Sequence, residues 1–210
     1  MEKVFIEQLK SILEGDVLSD DVSLCDASTD WSIFEVQPAI VVQPKHVDDI
    51  KKLVTFVGEH KKEQLELSIT ARAAGTDMTG GPLNTSIILD MTKYFHGVPS
   101  VERKNFPNQK AFYGHEYEVA GQAVVLPGTY YRDFEPETLK ENLIMPCYPA
   151  SRELCTVGGM VANNGAGEKT LKYGQNKDFV HSLRVVFSDG NEYEVRPLTF
   201  SELQGNMSQE

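Results

Sequence analysis

The chain has 210 residues, 40% of them apolar, with 31 acidic against 20 basic side chains and a formal net charge of −11. That size allows roughly two thirds of the unfolded surface to be buried in one domain or two lobes, while the acidic excess disfavours nucleic acid and anionic lipid as partners. No stretch approaches the roughly 20 apolar residues that cross a bilayer, and the opening EKVFIEQLKSILEG is not a secretory signal, so a cytoplasmic protein without a transmembrane segment is expected.

The elements follow in chain order. KVFIEQLKSILEG places Phe5, Leu9 and Ile12 at helical spacing and ends in Gly15, which reads as a left-handed cap. PAIVVQP, residues 38–44, is a short strand fenced by prolines. A helix follows in HVDDIKKLVTFVGEHKK, with acids early and lysines late as the helix dipole prefers and apolar residues at Val47, Ile50, Val54 and Val57. LELSIT at 65–70 returns as a strand, so 38–70 reads as a βαβ unit. SIILDM at 86–91 is a further strand, YEVAG and AVVLPG read as a pair meeting near Gly121, and RDFEPETLKENL has the polarity of a surface helix. HSLRVVFSDGNEYEVRP is the clearest hairpin, with Asp189-Gly190 read as a tight primed turn. Cys25, Cys147 and Cys155 have no CxxC or metal-finger spacing, which leaves disulfide and zinc frameworks without support.

Two tracts of small residues carry the functional signal. ITARAAGTDMTGG, residues 69–81, follows a strand and is cut down to small side chains and glycines, as a backbone that wraps an anion requires. It has neither the lysine of a P-loop nor the GxGxxG of a dinucleotide fold. The second, PASRELCTVGGMVANNGAGEKTLKYG at 149–174, adds Thr156, Asn163 and Asn164 as side chains able to hydrogen-bond where the backbone does not reach. Together they suggest two walls of one extended ligand site.

These residues carry a family resemblance. VVQPKHVDDIKKLV, ARAAGTDMTGG, IILDMTKYF, VLPGTYYRDF and PASRELCTVGGMVANNGAGEKTLKYGQNKDFVHSLRVVFSDG resemble, in order and spacing, the FAD-binding domain of the FAD-linked oxidases. This domain is also called PCMH-type or vanillyl-alcohol-oxidase-type, and the nearest branch is that of the glycolate oxidase subunit and D-lactate dehydrogenase. The resemblance spans about residues 20–197. It implies an α+β fold of two α/β subdomains, a small parallel βαβ sheet and a larger, mostly antiparallel sheet with flanking helices, enclosing FAD. Residues 1–210 would form this single domain, with a first lobe over about 20–95 and a second over about 96–200.

The resemblance also implies site residues. The first loop would wrap the pyrophosphate with the backbone of Ala73, Ala74, Gly75, Thr76, Asp77 and Met78, with Gly80 and Gly81 shaping the exit. Arg72 matches the loop's usual arginine, a surface ion pair being the plain alternative. The second tract would run along the flavin and ribityl chain through Pro149, Ala150, Ser151, Thr156, Gly158, Gly159, Ala162 and Asn164. Tyr173 and Gly174 continue that block, and the segment ending at Val180 matches the adenine end. Pro127, Gly128 and Thr129 match a turn near the flavin, or serve the turn alone.

The departures have meaning as well. Ala73-Ala74-Gly75 stands where the branch shows three glycines. Thr76 occupies the position of the flavin-bonding histidine of covalent members and offers no comparable nucleophile, so non-covalent FAD is expected. The acid-binding arginine, histidine base and metal ligands of the family lie in a C-terminal substrate domain, which is not expected within these residues; no catalytic or metal-binding residue is named. The five histidines, His46, His60, His96, His115 and His181, show no HxH or HxxxH pairing. The resemblance thus implies the FAD-binding part of an oxidoreductase that takes hydride from a small 2-hydroxy acid such as D-lactate or glycolate. The alternatives are a separate FAD-binding subunit capped by a partner chain and a remnant that has lost FAD.

Overall fold

A computed structural model describes residues 3–106, 109–110 and 116–207; His115 lies outside the described residues. The first half is a four-stranded sheet in the order β1 (Asp16–Leu18), β2 (Ile40–Gln43), β4 (Ile87–Asp90), β3 (Ile69–Arg72). β1 runs antiparallel to β2, while β2 and β3 both run parallel to β4. The expected βαβ unit therefore has a different neighbour relation: β2 and β3 share the sheet, and β4 lies between them. β3 also begins later than expected, so that Ala71 and Arg72 belong to the strand and the small-residue loop starts from its end.

Alternation along β2 and β4 separates two apolar layers. Ile40, Val42, Ile87 and Leu89 face α1 (Lys3–Ile12) and α3 (Val47–His60) in one core with Leu9, Leu13, Leu53, Phe56 and Leu67. Val41 and Ile88 face the opposite way, onto Ala27 and Leu24 of α2 (Asp21–Ala27). The buried face of α3 is Asp49, Leu53 and Phe56, with Ile50 and Val57 at its border, so the helix is rotated from the stripe its valines suggest. Asp49 explains this. Its buried carboxylate accepts the main-chain N–H groups of Glu14, Gly15 and Lys45 at 2.9–3.0 Å, tying the α1–β1 turn to the start of α3. Gly15 is not a left-handed cap: its φ is not positive, and a Cβ there would meet the Gln43 carbonyl oxygen at 2.1 Å. Close approach of β2 is what requires glycine at this position.

Among the described residues the second half holds three antiparallel pairs: β5 (Ser100–Arg103) with β8 (Gly121–Val124), β6 (Gln109–Lys110) with β7 (Glu116–Tyr117), and β9 (Leu183–Val186) with β10 (Glu192–Val195). The segments expected to meet at Gly121 do not pair with each other, since β7 pairs back to β6 and β8 to β5. The hairpin β9–β10 forms as expected, but through a longer turn. Only Gly190 of the Asp189-Gly190 pair has a positive φ (+79°), and its N–H bonds the Phe187 carbonyl. This is a three-residue loop of a type I turn followed by a left-handed glycine. A second core of Tyr131, Phe134, Tyr148, Cys155, Val157 and Met160 gathers around α4 (Tyr131–Lys140) and α5 (Val157–Ala162).

The halves meet at the turn after β8. Gly128 donates to the Phe95 carbonyl at 2.7 Å, and a Cβ on it would lie 2.1 Å from the Met91 carbonyl oxygen. Thr129 exchanges two hydrogen bonds with Gly97 through its hydroxyl. Among the described residues no helix is long and apolar enough to cross a membrane.

Candidate cofactor site

The two small-residue tracts converge in space. The first loop leaves β3 and turns at Gly75 (φ +67°) and Gly80 (φ +81°), backbone angles that glycine adopts without steric cost. The second tract enters α5 through Thr156, whose hydroxyl accepts the Gly159 N–H at 3.2 Å as an N-cap. A Cβ on Gly159 would stand 3.7 Å from the Ala73 side chain, so the first turn of α5 and the start of the loop lie against one another. Gly158 is held more tightly: its N–H donates to Pro127 O at 2.8 Å, and a Cβ there would come within 2.5 Å of the Pro127 ring. Pro127 and Gly128 thus connect the second tract to the Met91–Phe95 side of the first lobe.

Hydrogen bonding divides the loop in two. At its exit, Thr79 and Gly81 donate their N–H groups to the Asp77 carboxylate at 3.1 Å each, and Gly80 donates to Asp30 at 3.0 Å. The main-chain N–H groups of residues 73–78, by contrast, donate to no acceptor among the described residues. Main-chain donors are seldom left without partners once withdrawn from water. Six in succession, in a loop with a left-handed glycine, are a donor set of the kind that can hold an anion. The residues therefore fit a pyrophosphate-bearing cofactor: the loop would hold its phosphates, and Gly158 and Gly159 let α5 pack closely on Pro127 and Ala73 beside it.

Among the described residues, Arg72 forms no surface ion pair of the kind considered as the alternative. Its guanidinium folds under the loop and donates to Thr29 O at 2.6 Å and Ala27 O at 3.4 Å, with Nη2 below Gly75. Burial pulls its pKa below the ordinary value, against the opposing influence of Asp90 and Asp30. Its charge lies next to Gly75 of the loop, where it favours an anion nearby. Asp77 is held below the usual carboxylate range, chiefly by the Thr79 hydroxyl.

The remaining expected residues fall into distinct settings. Thr76 is half-buried, whereas Met78 is 73% exposed, and Ala150 and Ala162 are also exposed. Pro149 and Ser151 form the turn before α5, where Ser151 O accepts the N–H groups of Leu154 and Cys155. Asn164, at φ +45°, binds Gln175 through its Nδ2 and the Lys177 N–H through its Oδ1, so its amide is engaged within its own loop. Tyr173 closes α6 (Thr170–Tyr173), and Gly174 (φ +89°) turns the chain into the Asn176–Asp178 helical turn ahead of Val180. Two contributors were not foreseen: Asp30, and the Trp31 N–H, which donates to Asp77 O at 3.0 Å. Asn163 was visible as a hydrogen-bonding side chain of the second tract, but not as the partner of Asp77. The only sequence signal for Asp30 is the Asp-x-Ser of an Asx turn, seen here as Ser32 N–H to Asp30 at 2.8 Å.

A sequence profile of the family described as FAD binding domain matches residues 38–196. The chain belongs to this family. As an FAD binding domain it is 26% identical over 160 residues to the glycolate oxidase subunit GlcD of Bacillus subtilis, covering 75% of this chain and 30% of that protein. It is 25% identical over 203 residues to a D-lactate dehydrogenase of Archaeoglobus fulgidus, covering 96% and 41%, and 25% identical over 201 residues to a D-2-hydroxyglutarate dehydrogenase of Pseudomonas putida, covering 95% and 18%. The chain thus spans well under half the length of these curated relatives. Among solved structures, an alkyldihydroxyacetonephosphate synthase superposes with a TM-score of 0.73 at 18% identity, over 97% of this chain and 37% of that one. 6-Hydroxy-D-nicotine oxidase of Arthrobacter nicotinovorans gives 0.64 at 20% identity, over 88% and 36%. Both share the α+β fold of this FAD binding domain.

Proposed function

We propose that this chain is the FAD-binding part of a flavin-dependent dehydrogenase or oxidase that acts on a 2-hydroxy acid such as D-lactate or glycolate. The observation that carries the reading is the run of unpartnered main-chain N–H groups at residues 73–78, set against Gly159 of the second tract. The loop amides bind the pyrophosphate, and Arg72 beside them offsets its charge. Thr156 fixes the start of α5, Gly158 lets that helix close on Pro127, and Gly159 lets it lie against Ala73 of the loop. FAD, when bound, supplies the acceptor for hydride from the substrate's carbinol carbon. The protein's share is to bind, orient and shield that ring. Thr76 offers no nucleophile comparable to the histidine of covalent members, so FAD is held non-covalently.

The substrate's carboxylate and the proton of its hydroxyl are handled by groups outside this chain, in a C-terminal domain or a partner chain that caps the flavin. The relatives' names support the substrate class, and their greater length supports the cap. All three cysteines are free, which suits the cytoplasm.

The test is an absorbance spectrum of the purified chain before and after incubation with excess FAD and desalting. Flavin bands near roughly 370 and 450 nm that remain with the protein, but pass through a filter after denaturation, are expected. A chain that stays colourless, alone and together with a cap domain, would overturn the reading.

A further inference from the structure

The side chain of Asp77 does two things at once. One carboxylate oxygen accepts three donors from its own loop: the Thr79 N–H and Gly81 N–H at 3.1 Å and the Thr79 hydroxyl at 2.5 Å. The other oxygen accepts Nδ2 of Asn163 at 3.0 Å, across 86 residues of sequence. Asn163 is the C-cap of α5, fixed there by its own N–H to Gly159 O at 3.1 Å. A carboxylate only accepts, so the asparagine must present its amide nitrogen and the bond has one polarity. The main chain of Asp77 is fixed too, since its carbonyl accepts the Trp31 N–H. One residue therefore joins the 30–31 segment, the first tract and the far end of α5.

The geometry points to Asp77 and Asn163 as a clasp that assembles the cofactor groove. Because the Asp77 carboxylate captures the exit amides of Thr79 and Gly81, only the preceding six remain free. Because its second oxygen holds Asn163, the loop is fixed against α5 at both ends: Ala73 beside Gly159, and Asp77 bonded to Asn163. Both are positioning residues, acting through the loop amides. This rests on the cofactor reading above. A loop pre-assembled this way gives up less conformational entropy when the cofactor arrives, so the clasp contributes to affinity without requiring either side chain to touch FAD.

The fixed polarity supplies the test. Four forms of the chain are compared by FAD titration followed through flavin fluorescence: wild type, Asn163→Ala, Asn163→Asp, and the exchanged pair Asp77→Asn with Asn163→Asp. Asn163→Ala removes the bond, and about threefold weaker binding is expected. Asn163→Asp opposes two carboxylates, and roughly tenfold weaker binding is expected. In the exchanged pair, the amide now at position 77 keeps a carbonyl oxygen for Thr79 and Gly81 and donates its N–H to the carboxylate now at position 163, so affinity returns to within about threefold of wild type. A residue that mattered only for its shape would not be rescued by reversing the bond.

Equal affinities in all four forms would overturn the clasp, as would an exchanged pair as weak as Asn163→Asp. If the wild type takes up no FAD, alone or together with a cap domain, the cofactor reading falls instead. The clasp is then read from proteolysis of the 73–81 loop in the same four cofactor-free chains. Faster cleavage in Asn163→Asp that the exchange reverses upholds it, and uniform cleavage overturns it.

Discussion

Gly75→Ala tests whether the first loop is built over a buried guanidinium. Two effects add. An alanine at φ +67° costs about 1–2 kcal/mol as a left-handed non-glycine residue. Its Cβ would also lie 2.4 Å from Arg72 Nη2 and 2.9 Å from Arg72 Cζ, so the guanidinium must leave its place. Displacement breaks the bond to Thr29 O at 2.6 Å and the longer one to Ala27 O at 3.4 Å. Hydrogen bonds from a charged donor contribute about 1.5–3 kcal/mol each, so the total loss is expected at about 4–8 kcal/mol if both are lost in full, and about 2.5–5 kcal/mol if only the shorter one is. The assay is urea unfolding of the cofactor-free chain, made in two backgrounds. With Arg72→Ala already present there is no guanidinium to displace, and Gly75→Ala should then cost only the backbone strain, about 1–2 kcal/mol. The difference between backgrounds measures the contact. Equal costs in the two would refute the placement of Arg72 under Gly75.

Three further outcomes follow from the same structure. Gly58 lies in α3 with open space around it, so Gly58→Ala should raise stability by about 0.5–1 kcal/mol in the same urea assay. Burial opposes the charge on Asp49, but the N–H groups of Glu14, Lys45 and Gly15 and the nearby His46 prevail and lower its pKa. A lowered folded pKa means stability that is fully present above the unfolded value of about 3.9 and is lost as pH falls through the folded pKa. Urea midpoints should therefore drop on acidification less steeply in Asp49→Asn, which itself loses about 2–4 kcal/mol at neutral pH by leaving main-chain donors short of an acceptor. Burial pushes the Cys147 thiol up to about 12 and also raises Cys155, whereas Cys25 is exposed. A thiol reagent should thus modify one of the three cysteines quickly in the folded chain and all three after denaturation.

The sequence by itself determined the elements whose physics is local. α3 is legible from its acidic start and apolar spacing, β2 from a branched apolar run between two prolines, and the β9–β10 hairpin from alternation around Asp-Gly. The two small-residue tracts were legible as places of close backbone approach, because a backbone approached closely by another group excludes side chains wherever it lies in the fold. Family membership was legible because five sequence blocks, the two tracts among them, occur in order.

Only the tertiary structure decided which elements meet. Nothing local distinguishes β3 as the neighbour of β4 rather than β2, because both strands present the same branched faces and pairing depends on loop paths. Gly15 looked like a helix cap, yet its need for glycine comes from the Gln43 carbonyl, 28 residues further along the chain. The valine stripe of α3 misplaced its buried face because Asp49, a residue that reads as solvated, is drawn inward by three main-chain donors from elsewhere. The same holds at the site. Composition marked the 73–81 loop by its small residues, but which of its amides find a partner among the described residues was decided by the carboxylates of Asp30 and Asp77. Hydrogen bonds between residues far apart in sequence leave no periodic trace, so the arrangement of the groove became visible only when the chain was folded.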